Sequence, residues 1–211
     1  MKVIIISGGT PPSEKLLKNE ITKDSFLIAA DSGANCLYDY DIIPDLLLGD
    51  FDSINKDILD YFEKSDCRID IYPTEKNFTD TEIAAQKAIS MKPNEIVFLG
   101  CTGSRVDHLL SNIGMLKICL ENHVNAYIKD ENNCIRLYDA STSLDGTVGR
   151  LFSVQSYTNE IIGLTIEGAK YPLNNYNLKV GQSITVSNEF AMPKVLLKFK
   201  SGTLMVIFPS D

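Results

Sequence analysis

The sequence predicts an α/β protein: an N-terminal, mostly parallel, doubly wound sheet followed by a C-terminal antiparallel β-sandwich or barrel. Three observations carry this expectation. Short continuous apolar runs alternate with polar turns and helical periods as far as about Asp130, the order that builds a parallel sheet covered on both faces. Beyond that point the chain holds short strand-like runs separated by turn signals, with no helical period of useful length. The stretch Ala140 to Gly149, rich in Ser, Thr and Gly, separates the two textures, so the expected domains are 1–139 and 140–211.

In the first part, Val3 to Ile6 is a continuous β-branched run and forms the expected first strand. Ser7-Gly8-Gly9-Thr10-Pro11-Pro12 follows as a tight loop that opens a helix over Ser13 to Asn19. The loop fits a phosphate cradle and a plain strand-to-helix turn equally well. Phe26 to Ala30 is a second buried strand, and Asp31-Ser32-Gly33-Ala34-Asn35 leads from it into a short helix. Leu46-Leu47-Leu48 forms a third, with Gly49 and then Asp50-Phe51-Asp52-Ser53 at its end. If the chain stays extended there, Asp50 and Asp52 share a face and can hold a cation such as Mg²⁺ between them. The same residues fit a polar loop in which Asp52 or Ser53 caps the helix beginning near Asn55.

A helix over Ile54 to Glu63 and a strand over Ile69 to Tyr72 come next. Thr79 and Glu82 have capping-box spacing ahead of an apolar-periodic helix. Glu95 to Leu99 is the fifth strand, and Gly100 to His108 leads into a helix through Leu120. The turns at the carboxyl ends of these strands collect Asp31, Asp50, Asp52, Asp80, Arg105 and Asp107, where open α/β sheets bind ligands. In the second part, strands are expected at Cys134 to Tyr138, Leu151 to Tyr157, Ile161 to Glu167, Ser183 to Ser187, Val195 to Phe199 and Leu204 to Phe208, with a hairpin turn at Ser201-Gly202.

Composition narrows the function classes. A net charge of −8 argues against nucleic-acid binding, which rests on Lys and Arg contacts to phosphates. Five widely spaced cysteines with no Cys-x-x-Cys pair argue against a disulfide framework or a zinc site. No run approaches a membrane span, and the N-terminal apolar run is too short for a signal segment, so a cytoplasmic protein with no membrane contact is expected.

The ordered set of motifs resembles the thiamine pyrophosphokinase family. It comprises Ala30-Asp31-Ser32-Gly33-Ala34, Pro44-Asp45 with Gly49-Asp50-Phe51-Asp52-Ser53, Lys76-Asn77-Phe78-Thr79-Asp80-Thr81-Glu82, and Gly100 to His108 with Ser111-Asn112. Gly168-Ala169-Lys170-Tyr171-Pro172-Leu173 and Gly181 before Ser187-Asn188-Glu189 complete it. The chain carries Asn77 where the family often has Asp, Ser104 where a second glycine is usual, and no Trp.

The resemblance implies an ATP-binding α/β domain, a thiamine-binding β domain, and a homodimer whose active site is shared between chains. It implies transfer of the pyrophosphoryl group of ATP to the hydroxyethyl oxygen of thiamine, giving thiamine diphosphate and AMP. Mg²⁺ would be held by Asp50, Asp52 and Asp80, and Arg105 would grip phosphate oxygens. Asp31, Ser32, Gly33, Ala34, Thr79 and His108 would lie along the nucleotide and its metal waters, with His108 equally able to be a structural hydrogen-bonder. Asp107 would orient the thiamine hydroxyl or accept its proton, or pair with Arg105. Ser187 and Asn188 would hydrogen-bond the aminopyrimidine ring. A Mg²⁺-dependent phosphohydrolase and a non-catalytic sensor of nucleotide or thiamine diphosphate remain as rival readings.

Overall fold

The computed structural model describes residues 1–75 and 77–210, so Lys76 of the third motif lies outside the described residues. The chain forms two compact units, Met1–Glu131 and Asn132–Asp211. They divide ahead of the expected Ala140 to Gly149 stretch, because the strand over Asn133–Tyr138 is built into the second unit along its whole length.

Among its described residues the first unit holds six strands: β1 Lys2–Ile6, β2 Ser25–Ala30, β3 Leu46–Gly49, β4 Arg68–Ile71, β5 Glu95–Leu99 and β6 Asn125–Lys129. All pair in parallel in the order β6-β5-β1-β2-β3-β4. Five α-helices among the described residues connect them: α1 Glu14–Glu20, α2 Ala34–Asp39, α3 Lys56–Glu63, α4 Asp80–Ser90 and α5 Val106–Glu121. The continuous apolar runs are explained by burial on both faces: Val3 to Ile6, Ile96 to Leu99 and Leu46 to Leu48 are buried without alternation. The chain works outward from β1 to β4, then returns to the other side of β1 through β5, so the strand order reverses between β1 and β5. Such a reversal leaves a crevice at the carboxyl ends of the two strands.

Side-chain caps start three of the helices. Ser13 Oγ accepts from the Leu16 amide at 3.1 Å, Asn55 Oδ1 from Asp57 at 3.3 Å, and Thr79 Oγ1 from Glu82 at 3.2 Å. Asn55, not Asp52 or Ser53, therefore caps α3, and the acidic turn after β3 is left for other work.

The second unit packs two antiparallel sheets face to face. One runs β12-β9-β14-β7 and the other β11-β10-β13-β8. Their strands are β7 Asn133–Tyr138, β8 Thr142–Asp145, β9 Leu151–Ser156, β10 Glu160–Glu167, β11 Leu173–Lys179, β12 Asn188–Glu189, β13 Lys194–Lys198 and β14 Leu204–Pro209. Leu164, Ile166, Val195 and Leu197 from one sheet meet Phe152, Val154, Leu204 and Val206 from the other in a single core. Phe152 and Phe190 pack edge to face at 4.9 Å.

Three expectations fail in this unit. Ser183 to Ser187 is a run of turns rather than a strand, tied to β9 by the Val154 amide donating to the Thr185 carbonyl at 3.0 Å. Ser201-Gly202 is not a hairpin, because β13 and β14 belong to different sheets and the turn carries the chain across the sandwich. β8 and β11 arise where no strand was expected. Polar Asn-rich and Ser/Thr-rich segments are drawn into ladders by their neighbours, as Leu196↔Ser143 and Ile161↔Leu178 pairing shows.

Candidate active site

The loops at the carboxyl ends of the first unit's strands enclose a cleft of about 600 Å³. Ser7 to Thr10 follow β1 along one wall, and Gly100 to Arg105 follow β5 along another. These two loops are laced together: the Gly9 amide donates to the Gly100 carbonyl at 2.7 Å and the Thr10 amide to Thr102 at 2.7 Å. A β-carbon at Gly9 would lie 2.3 Å from the Thr102 carbonyl oxygen, so only glycine permits that approach. Behind them, Thr81 Oγ1 donates to Ser7 Oγ at 2.9 Å and the buried Asn112 amide donates to the Cys101 carbonyl at 2.9 Å. The Cys101 thiol, pushed up to about 12 by burial, is a packing group in the cleft wall rather than a nucleophile.

Asp31, Asp50 and Asp52 each offer a carboxylate oxygen, and these atoms lie within 4.8 Å of one another. The parallel pairing of Ala30 with Leu48 brings the ends of β2 and β3 side by side, which places Asp31 next to the Asp50 turn. Asp50 and Asp52 do not converge by extended alternation. Phe51 adopts φ 61°, and the Asp52 amide reaches back to Asp50 Oδ1 at 3.3 Å, so a tight turn brings the two carboxylates together. A left-handed conformation at a bulky residue is strained, and such strain concentrates at functional sites. Asp31 is likewise left-handed, at φ 48°.

One oxygen of Asp31 is buried without a hydrogen-bond partner. Burial, with the charges of Asp80 and Asp50, raises its pKa above the ordinary range, against hydrogen bonds from the Ser32 backbone and Ser53. Grouped carboxylates of this kind fit a hard divalent cation with oxygen ligands. Asp80 lines the same cleft and its charge is felt at Asp31, but it stands outside the compact trio. The trio thus contains Asp31 where the sequence suggested Asp80. Its signal was an Asp at the carboxyl end of a buried strand; what the sequence did not show was that β2 and β3 are neighbours.

Ser32, Thr79, Arg105 and His108 also line the cleft. Gly33 and Ala34 do not; both are buried, with Gly33 packed against the Ile6 carbonyl. Arg105 forms an exposed bidentate pair with Asp107, Nε to Oδ1 at 2.9 Å and a terminal nitrogen to Oδ2 at 2.6 Å. That hydrogen-bonded guanidinium holds the Asp107 carboxyl well below the usual carboxylate range.

The model of the thiamin pyrophosphokinase catalytic domain matches residues 17–128, and that of the thiamin pyrophosphokinase vitamin B1 binding domain matches residues 141–204. The chain belongs to the thiamin pyrophosphokinase family. It is 31% identical to a thiamine pyrophosphokinase of Bacillus subtilis (strain 168), with all of both chains covered. A thiamin pyrophosphokinase of Caenorhabditis elegans is 26% identical over 78% of this chain and 70% of its own. Among solved structures, a thiamine pyrophosphokinase from Bacillus subtilis superposes with a TM-score of 0.91 at 29% identity over the full length of both chains. One from Geobacillus thermodenitrificans gives 0.88 at 27% identity over 100% of this chain and 98% of that one.

Ser187 and Asn188 fall within the matched vitamin B1 binding domain of this thiamin pyrophosphokinase family member. Asn188 is buried and its amide is occupied at both ends: Oδ1 accepts from the Tyr171 amide at 3.1 Å and from Glu189 at 2.8 Å, while Nδ2 donates to the Tyr171 carbonyl at 2.8 Å. Its visible role is to fix the Tyr171 turn. Ser187 adopts φ 55°, and its amide donates to Ser153 Oγ at 3.0 Å.

Proposed function

We infer that the chain catalyses the reaction of its family: the pyrophosphoryl group of ATP passes to the hydroxyethyl oxygen of thiamine, with release of AMP. The observation that carries this reading is the trio Asp31, Asp50 and Asp52 at the rim of a glycine-lined cleft, where the strand order reverses. Asp31, Asp50 and Asp52 hold Mg²⁺, with Asp80 adding negative charge nearby. Mg²⁺ held there would supply charge neutralisation for the triphosphate and the AMP leaving group. Arg105 supplies a planar fork of donors to phosphate oxygens, and Asp107 orients that fork. Most of the acceleration in such transfers is positioning and electrostatics, which this wall of short, laced loops is suited to provide.

In this reading thiamine and ATP are the substrates, and the working form is a cytoplasmic homodimer in which the vitamin B1 binding domain of one chain completes the site of the other. No helix among the described residues is long and apolar enough to cross a membrane. The decisive assay incubates the chain with ATP, Mg²⁺ and thiamine and follows AMP and thiamine diphosphate together. Equal formation of both is expected. Release of inorganic phosphate without thiamine diphosphate selects a phosphohydrolase, and binding without AMP selects a sensor.

A further inference from the structure

Phe78 is an apolar side chain in a setting that does not cover it. It precedes Thr79, the cap of α4, where an apolar residue ordinarily packs down on the first turns of the helix. Instead its side chain is 48% exposed, and it lines the cleft that holds Asp31, Asp50 and Asp80. Among the described residues that line this cleft it is the one phenyl, phenol or indole ring. The Thr79 cap fixes the backbone beside it, so the ring is presented from a held position.

We propose that the Phe78 ring is the platform for a cationic heteroaromatic ring, the thiazolium of thiamine, and so sets the enzyme's affinity for that substrate. This rests on the pyrophosphoryl-transfer reading of the cleft. Two considerations select thiazolium over adenine. The first is charge: outside the trio that would hold Mg²⁺, Asp80 also lines the cleft, and the Arg105 guanidinium there is itself paired with Asp107. A ring bearing positive charge is favoured there, and an aromatic face adds to the attraction. The second is reach. Only a two-carbon arm separates the attacking oxygen from the thiazolium, whereas the α-phosphate and the ribose separate the attacked phosphorus from adenine. Phe78 is two residues from Asp80, and both line the cleft together with Asp31 and Asp50, which favours the ring on the shorter arm.

The chain has no tryptophan, so Phe78→Trp creates a single indole at this spot. Its emission is expected to be quenched saturably by thiamine and to be unaffected by ATP with Mg²⁺ alone. A response to ATP with none to thiamine overturns the proposal and puts the ring against adenine. In steady state, Phe78→Leu keeps an apolar residue ahead of the helix cap but removes the ring. It should raise the KM for thiamine about tenfold, leave that for ATP within about twofold, and be rescued by Phe78→Tyr. An unchanged thiamine KM, or an equal rise in both, overturns it. If the unmodified chain makes no thiamine diphosphate, the parent reading fails instead. The fluorescence of Phe78→Trp still decides in that event whether the ring receives the thiazolium cation.

Discussion

Gly49 lets the end of β3 close on Asp31: a β-carbon at position 49 would stand 3.1 Å from the Asp31 β-carbon and 3.2 Å from its α-carbon. With φ at 152°, the glycine also holds a backbone conformation that other residues resist. Gly49→Ala should therefore push Asp31 away from Asp50 and Asp52, at a cost on the order of 1–3 kcal/mol. Thermal unfolding should show a lower Tm, and the Mg²⁺ needed for half-maximal activity should rise. A variant with unchanged Mg²⁺ dependence would separate the close approach from metal binding.

Asp52→Asn removes one charge from the trio while keeping its size. Turnover is expected to fall by about 100-fold or more, with the circular dichroism spectrum and Tm preserved. Near-normal rates with an unchanged Mg²⁺ requirement would show that Asp52 is dispensable as a ligand.

The Arg105–Asp107 pair distinguishes two roles for the aspartate. If Asp107 only orients the guanidinium, Asp107→Asn costs less than about tenfold, and the double variant with Arg105→Ala loses little beyond Arg105→Ala alone. A general base at this position would instead cost about 10²–10⁴ in kcat. Comparing kcat and the KM for ATP across the four chains gives the answer.

Acid should weaken the first unit through Glu20, at the end of α1. Its buried carboxylate accepts from Lys129 Nζ at 2.6 Å, Lys2 Nζ at 2.6 Å and the Tyr127 hydroxyl at 2.8 Å. Burial alone would raise its pKa, but these three bonds outweigh it and hold the group at about 2, against 4.5 for a free side chain. A depressed carboxyl stabilises the fold fully above pH 4.5 and loses that contribution as pH falls toward 2. The contribution is about 3 kcal/mol. Glu20→Gln should be less stable at pH 7 and should lose the part of the denaturant midpoint's acid dependence between those limits. An unchanged acid limb in the variant would assign it to other carboxylates.

Local sequence was sufficient wherever a residue's fate depends on its near neighbours. The uninterrupted runs Val3 to Ile6 and Leu46 to Leu48 are doubly buried strands, and Thr79 with Glu82 is a helix cap, because burial and capping follow from spacing along the chain. The alternation of strand and helix likewise implied a parallel sheet, and with it loops gathered at one end.

Tertiary structure decided what pairing decides. That β2 lies beside β3 makes Asp31 a partner of Asp50 and Asp52, a juxtaposition no period in the sequence encodes. The left-handed Phe51 bends the Asp-x-Asp turn so that its carboxylates meet, where extended alternation had been the sequence's simplest route. In the second unit, segments of low strand propensity became β8 and β11 because adjacent ladders supplied their hydrogen bonds, while the better-looking Ser183 to Ser187 became a turn. Asn188 was chosen by its motif as a ligand contact, and the fold spends its amide on the Tyr171 backbone. Chain-local chemistry names the groups; only the long-range register of strands determines which of them can touch.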